Sequence, residues 1–308
     1  MRFWVGITDG NWFDQLRERQ LDEVNFWQPS AAPLPHLLAP GIPFLFKLRA
    51  PRNVIAGGGF FVRATTLPIR VAWEAFGEGN GVQSFTEFRG RIAQLAGALT
   101  GGDSAIACNV LTQPFFLAED QWIPVPASWH PNIQRGKSYD TGEPDGLRLW
   151  MDVRARMAGS PAATELTIGD EVRGTRYYLA QARVGQGAFR CLVTDAYGRR
   201  CAVTGERTLP VLDAAHIRPY KEQGPNIAAN GILLRKDIHK LFDDGYVTIT
   251  DDLKLKVSSR IREEFENGRH YYDHDGSSIA KPVQVEDLPD REFLRWHREH
   301  VYENWSTG

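Results

Sequence analysis

The sequence has few cysteines, no long apolar run and almost no net charge, and each shortage excludes a class of protein. Its three cysteines, Cys108, Cys191 and Cys201, are odd in number and form no CxxC pair. A disulfide framework is therefore excluded, and the expectation is three buried, small apolar side chains in a reducing compartment. No stretch approaches the roughly 20 uninterrupted apolar residues that a membrane helix needs. The opening MRFWVGITDGNWF lacks a basic segment, a long apolar core and a small-residue cleavage site, so the expected location is the cytoplasm and no membrane partner is expected. Internal repeats and low-complexity tracts are absent as well. What remains is a globular composition of 42% apolar and 24% charged residues over 308 positions, enough for two domains that each bury a core.

The net charge of −2 argues at first against a polyanionic partner, but it conceals an uneven distribution. From Arg173 to Lys240, 12 Lys and Arg stand against 5 Asp and Glu, a local net of +7, whereas Leu241 to the end carries −6. The basic block is where nucleic acid would be expected to bind.

Along the chain, residues 1–140 read as short strands between Gly, Pro and Asn clusters: RFWVGIT, PFLFKLR, GGFFVRAT, SAIACNVLT and WIPVP. Helices are expected at NWFDQLRER and VQSFTEFRGRIAQLAG. Residues 141–175, a turn-rich YDTGEPDG followed by the amphipathic LRLWMDVRARM and by GSPAAT, read as a connector with a helix. Residues 176–308 follow a different pattern: helices over YYLAQARV and GQGAFRCLVTDAYG, a hairpin around Thr204 and Gly205, and a helix containing RKDIHKLFDDG. The fold class is α+β, with a largely antiparallel sheet or partial β-barrel in the first part.

One segment carries chemistry: CAVTGERTLPVLDAAHIRPYKEQGPNIAANGILLRKDIHKLFDDGYVTI, residues 201–249. His216 ends a short strand, Asn230 follows 14 residues later at a Gly turn, and His239 comes 9 residues after that on a helix. These three points and their intervals resemble the ββα-metal, or HNH, endonuclease superfamily. The resemblance implies a nuclease domain over 176–308 in which a strand His, a loop Asn and a helix-borne ligand converge on one divalent metal ion, Mg²⁺, Mn²⁺ or Ni²⁺. Hydrolysing a phosphodiester requires an activated water, and a neutral imidazole has the basicity for that task. His216 is the expected general base and His239 a metal ligand, with Asn230 tying down the loop and orienting His216 through bonds to the backbone.

The chain departs from the family's commonest pattern at Ala215, where many members carry Asp or His before the general base. A ligand must then come from elsewhere. Asp213 lies on the same strand face as Ala215, and Asp243 follows His239 by four residues on one helix face. Arg218, two residues past the base, is the foremost expected phosphate contact, ahead of Lys221, Arg235, Arg199, Arg200 and Lys236. Other superfamily members hold a structural zinc with paired CxxC motifs; Cys191 and Cys201 form no such pairs, and no structural zinc is expected.

The aromatic strands and the GGGFF turn of the first 140 residues resemble, more distantly, PUA-like domains of the EVE and ASCH type, in which a barrel cleft can hold an extruded base. Trp12, Trp27, Gln28, Phe60, Phe61, Trp122 and Asn132 are the candidates for contacting a base. A base reader fused to an HNH nuclease resembles modification-dependent restriction endonucleases, which makes double-stranded DNA with modified bases the expected partner and defence the expected role. A homodimer would explain double-strand cuts, with FLRWHREHVYENW either an interface helix or packed on its own domain. Two other readings stay open: an HNH nuclease of repair or toxin type whose first domain binds another ligand, and a nucleic-acid-binding protein whose site has decayed.

Overall fold

The computed structural model describes residues 1–19, 21–29, 39–96, 105–157 and 184–303. The chain divides into two compact units, Met1–Ala188 and Phe189–Gly308, and its class is mixed α+β. Among the described residues no helix is long and apolar enough to cross a membrane.

The first unit is organised around one sheet built from β1 (Arg2–Thr8), β2 (Glu23–Gln28), β3 (Pro43–Leu48), β4 (Val54–Pro68), β5 (Ala105–Phe116), β6 (Ile123–Pro124) and β7 (Gly136–Asp140). The order is β2-β5-β4-β3-β1-β7, with β6 paired to β4 off this path. β1 and β3 run parallel and the other pairs are antiparallel. Among the described residues the path runs open from β2 to β7 with no pairing that closes it, so the sheet is not a closed barrel.

Helices α1 (Gly10–Arg17), α2 (Ile69–Phe76), α3 (Phe85–Ala96) and α4 (Pro144–Met157) complete the unit. α1 starts where Asp9 accepts the Trp12 N–H at 3.0 Å, a side-chain cap for one of the helix's unpaired donors. Strand alternation distributes the apolar residues into two cores. Phe3, Val5 and Leu45 pack with Leu149, Trp150, Val153 and Met157 of α4. Trp4, Phe44 and Phe46 pack with Trp12, Phe13 and Leu16 of α1. Every residue of β3 is buried, because both of its faces are covered. The helix in the expected connector is thus part of this unit's core, while GSPAAT, and YYLAQARV up to residue 183, lie outside the described residues.

The GGGFF segment is not a turn. It lies within β4, where a Cβ on Gly57 would sit 2.3 Å from the Phe115 carbonyl oxygen and one on Gly58 2.7 Å from that of Phe44. Glycine is required because neighbouring backbones approach too closely for any side chain.

Helix α5 (Gln186–Ala196) spans the junction at 188/189. The second unit then builds an antiparallel ladder from β8 (Leu212–His216) and β9 (Gly231–Arg235), followed by α6 (Lys236–Asp243) and a second ladder of β10 (Val247–Ile249) and β11 (Leu255–Val257). Helices α7 (Arg260–Phe265), α8 (Arg269–Tyr272) and α9 (Arg291–His300) close it.

The hairpin expected around Thr204 and Gly205 is a tight turn that joins no strands. Gly205 donates to the Cys201 carbonyl at 2.9 Å, and the Cys201 Sγ accepts the N–H groups of Thr204 and Arg235 at 3.4 and 3.3 Å. All three cysteines are buried thiols. α9 packs on its own unit, burying Leu294 and His297.

Candidate active site

The ladder β8–β9 and helix α6 bring the sequence's chemistry together. His216 closes β8 opposite Gly231, and His239 sits in the middle of α6, an amphipathic helix whose Ile238 and Phe242 are buried. This leaves His239 on the flank of the helix, partly accessible. The Asp213 carboxylate lies 3.3 Å from His239 Nδ1 and the Asp243 carboxylate 3.3 Å from Nε2. Ala215 is fully buried, and Asp213 occupies the place beside the helix histidine. Arg190 of α5, 3.8 Å from Asp213, adds a cation on its outer side.

The electrostatics follow from this geometry. Burial pushes the His239 imidazole down, but the Asp213 hydrogen bond and the charges of Asp243 and Asp213 outweigh it and raise its pKa. Burial would raise Asp213, yet His239 and Arg190 hold it below the usual carboxylate range. His216 is lowered, with burial the principal cause and the Asn226 hydrogen bond opposing it. A lowered pKa keeps its ring neutral at neutral pH, the form a general base must have.

Imidazole and carboxylate are ligand types suited to divalent cations. The donor chemistry around His239 therefore fits a metal ion, although among the described residues no group of three His, Cys, Asp or Glu side chains is gathered as an ion's cage. In the arrangement seen, hydrogen bonding ties Asp213 to His239, and a cation would have to displace the proton they share.

Asn230 is fully buried and fastens the loop between the strands. Its Oδ1 accepts the Arg218 N–H at 2.9 Å, and its Nδ2 donates to the Arg218 and Pro225 carbonyls, each at 2.9 Å. Gly224 makes this closure possible, since a Cβ there would lie 1.8 Å from the Arg218 carbonyl oxygen. Asn230 does not touch the His216 ring. Two residues that the sequence reading missed hold it instead: Asn226, whose Oδ1 is 2.7 Å from Nε2, and Phe189, whose ring stacks on the imidazole at 3.8 Å and 12°. No spacing rule singles out Asn226 within EQGPN, and Phe189 reads as ordinary helix core.

Among the basic candidates, Arg218 lies over the Trp296 ring at 5.6 Å and donates to the Glu222 carbonyl at 2.6 Å. Arg235 is paired with Asp237 at 2.8 Å and Arg199 with Asp195 at 3.7 Å. Lys221, Arg200 and Lys236 are exposed.

In the first unit, Trp12, Trp27 and Gln28 line a cavity of about 590 Å³. Its aromatic wall is fixed from behind: the Trp12 indole donates to the Asn25 carbonyl at 3.2 Å and that of Trp27 to the Asn80 carbonyl at 2.8 Å. Gln28, Gln94 and Gln134 supply amides, and Arg49, Arg91 and Arg135 supply cations. Arg91 is paired with Asp9 at 3.4 Å, and Arg135 donates to Gln28. The other expected base contacts lie elsewhere. Phe60 and Phe61 are core residues, Trp122 packs against Phe13 with its N–H on the Leu117 carbonyl, and Asn132 is exposed in a turn. Apolar burial claimed these aromatic rings, which sequence alone cannot divide between core and cleft.

A strand ladder and helix that present two histidines, one flanked by carboxylates, define a ββα nuclease type of site. In agreement, residues 201–250 match the family model described as HNH endonuclease. This region is an HNH endonuclease domain, and the protein is a nuclease of the hydrolase class. No curated protein matches the chain. Among solved structures, a modification-dependent restriction endonuclease, TagI, is similar at 15% identity over 96% of this chain and 81% of its own, with a TM-score of 0.29. A mutant ASCH protein from Zymomonas mobilis is similar at 10% identity over 48% of this chain and 97% of its own, with a TM-score of 0.32. TM-scores this low do not define a common whole-chain fold.

Proposed function

We propose that the protein is a divalent-metal-dependent DNA endonuclease that acts on DNA carrying modified bases and restricts foreign DNA. The observation that carries the nuclease part is that one ladder and its following helix present His216, bonded to Asn226, and His239, flanked by Asp213 and Asp243. In this reading His239, with Asp213 and Asp243, would hold the ion, whose chemistry would be to stabilise the charge that develops in the transition state and on the departing oxygen. His216 takes the proton of the attacking water. Asn230 keeps the loop closed, Arg218 meets the scissile phosphate, and Lys221 and Arg235 contact neighbouring phosphates.

The cavity in the first unit supports the modified-base part. Its volume suits a nucleobase with its sugar, the part-exposed Trp27 indole offers a stacking surface, and its amides offer donors and acceptors for a base edge. Two copies of the chain acting together would cut both strands, and a cytoplasmic location would bring the enzyme to incoming DNA.

The test is incubation of the purified chain and its His216→Ala variant with Mg²⁺, Mn²⁺ or Ni²⁺ and with plasmid DNA, either unmodified or carrying modified cytosine or adenine. Cleavage confined to modified DNA and reduced at least about a thousandfold in the variant is the expected result. Equal cleavage of both substrates would remove the base-reading role, and absence of cleavage with every metal would remove the nuclease reading.

A further inference from the structure

The His216 ring is held at two points, and these decide which of its nitrogens can react. Phe189 covers one face of the ring, stacked at 3.8 Å and 12°, which fixes the plane of the imidazole. Asn226 fixes its rotation within that plane: its Oδ1 lies 2.7 Å from Nε2. A carboxamide oxygen can only accept a hydrogen bond, so the proton of the neutral ring must sit on Nε2. Nδ1 is then the atom with a free lone pair, and among the described residues nothing bonds to it. Asn226 is itself 6% exposed and directly follows Pro225, whose carbonyl accepts from the Asn230 side chain at 2.9 Å. Its position is therefore set by the fold rather than by solvent.

We infer that Asn226 is a positioning residue that locks His216 in the Nε2–H tautomer with Nδ1 presented to the attacking water. This rests on the reading of His216 as general base. Without the carboxamide, two neutral tautomers compete and the ring can turn over on the Phe189 face, so that only a fraction of molecules carries the lone pair in the productive direction. Groups one step behind a reactive imidazole typically change activity by about 10- to 100-fold when removed.

Long-range ¹⁵N–¹H correlation of the full, metal-free chain, recorded well above the ordinary imidazole pKa of about 6.5, reads the tautomer directly. The wild-type His216 is expected to show a protonated Nε2 and a lone-pair Nδ1. Asn226→Ala is expected to average the two signals and to lower kcat on DNA by about 10- to 100-fold with KM changed less than about twofold. Asn226→Asp, which keeps an acceptor oxygen in place, is expected to restore the wild-type spectrum.

A protonated Nδ1 in the wild type would overturn the inference outright. So would an Asn226→Ala variant that loses activity while its His216 keeps the wild-type tautomer, because the loss would then be structural, and so would a variant that keeps full kcat. The spectrum needs neither metal nor substrate: a chain that cuts no DNA fails as a nuclease, and the tautomer is still decided by the spectrum.

Discussion

Two imidazoles in the second unit lie face to face on a phenylalanine, and they differ in nearly everything else. His216 stacks on Phe189 at 3.8 Å and His297 on Phe242 at 3.7 Å, with interplanar angles of 12° and 13°. His297 is 2% exposed, and both of its nitrogens are engaged, Nδ1 with the Thr248 hydroxyl at 2.9 Å and Nε2 with the Phe242 carbonyl at 3.0 Å. It joins α9 to the end of α6 and to β10, and burial holds its pKa down at about 4. His216 is partly accessible and has one nitrogen engaged. The same aromatic shelf therefore serves a satisfied strut in one place and, in the function proposed above, a reactive group in the other. What distinguishes them is burial and the count of hydrogen-bond partners: the buried His297 has both nitrogens satisfied, whereas the part-exposed His216 has one.

Three measurements would break or sharpen this contrast. The largest effect is expected at His239, the residue between the carboxylates. His239→Ala should lower cleavage by about a thousandfold, since in the proposed reading it would hold the ion, and such an ion is worth several kcal/mol to the transition state. Its part-exposed ion pairs should contribute only about 1 kcal/mol or less to urea-unfolding stability. A variant that unfolds but keeps its residual activity per folded molecule would make His239 a strut like His297.

The second effect belongs to His297 and runs with pH. The unfolded chain binds a proton near pH 6.5, whereas the folded chain refuses it until about pH 4. Stability should therefore fall as pH drops through that window, by about 3 kcal/mol, and level off below it. Urea titrations at several pH values check this. The His297→Gln variant should lack this part of the slope, and an unchanged slope would assign the proton uptake to other groups.

The smallest effect carries the same logic to the first unit, where Trp27 has its indole N–H tied to Asn80 and lines the cavity. Trp27→Ala should weaken binding of an oligonucleotide with the cognate modified base by about tenfold, the worth of one stacked base. Fluorescence anisotropy should show unmodified duplex bound as before, and equal weakening of both would make Trp27 a general contact.

The legible parts of the sequence were those in which chemistry imposes spacing. His216, Asn230 and His239 stand on the elements their intervals implied, and Asp213 and Asp243 adjoin His239. Strands with strong apolar patterning, such as PFLFKL, could be read as well. The polar edge strand GKSYD and the charged start of EVNFWQ could not, because pairing with neighbours, rather than their own propensity, makes them strands. The GGG triplet read as a turn for the opposite reason: glycine signals both loose backbone and backbone packed too tightly for a side chain, and only neighbouring strands distinguish the two.

The sequence by itself determined the nuclease class, since the residues of an HNH motif must recur at restricted intervals to meet in one site. Tertiary structure alone decided which aromatic rings line a cavity and which fill a core, and which carboxamide faces His216. Those choices depend on contacts between residues far apart in the chain, such as Phe189 and His216 or Trp27 and Asn80, and no local pattern encodes them.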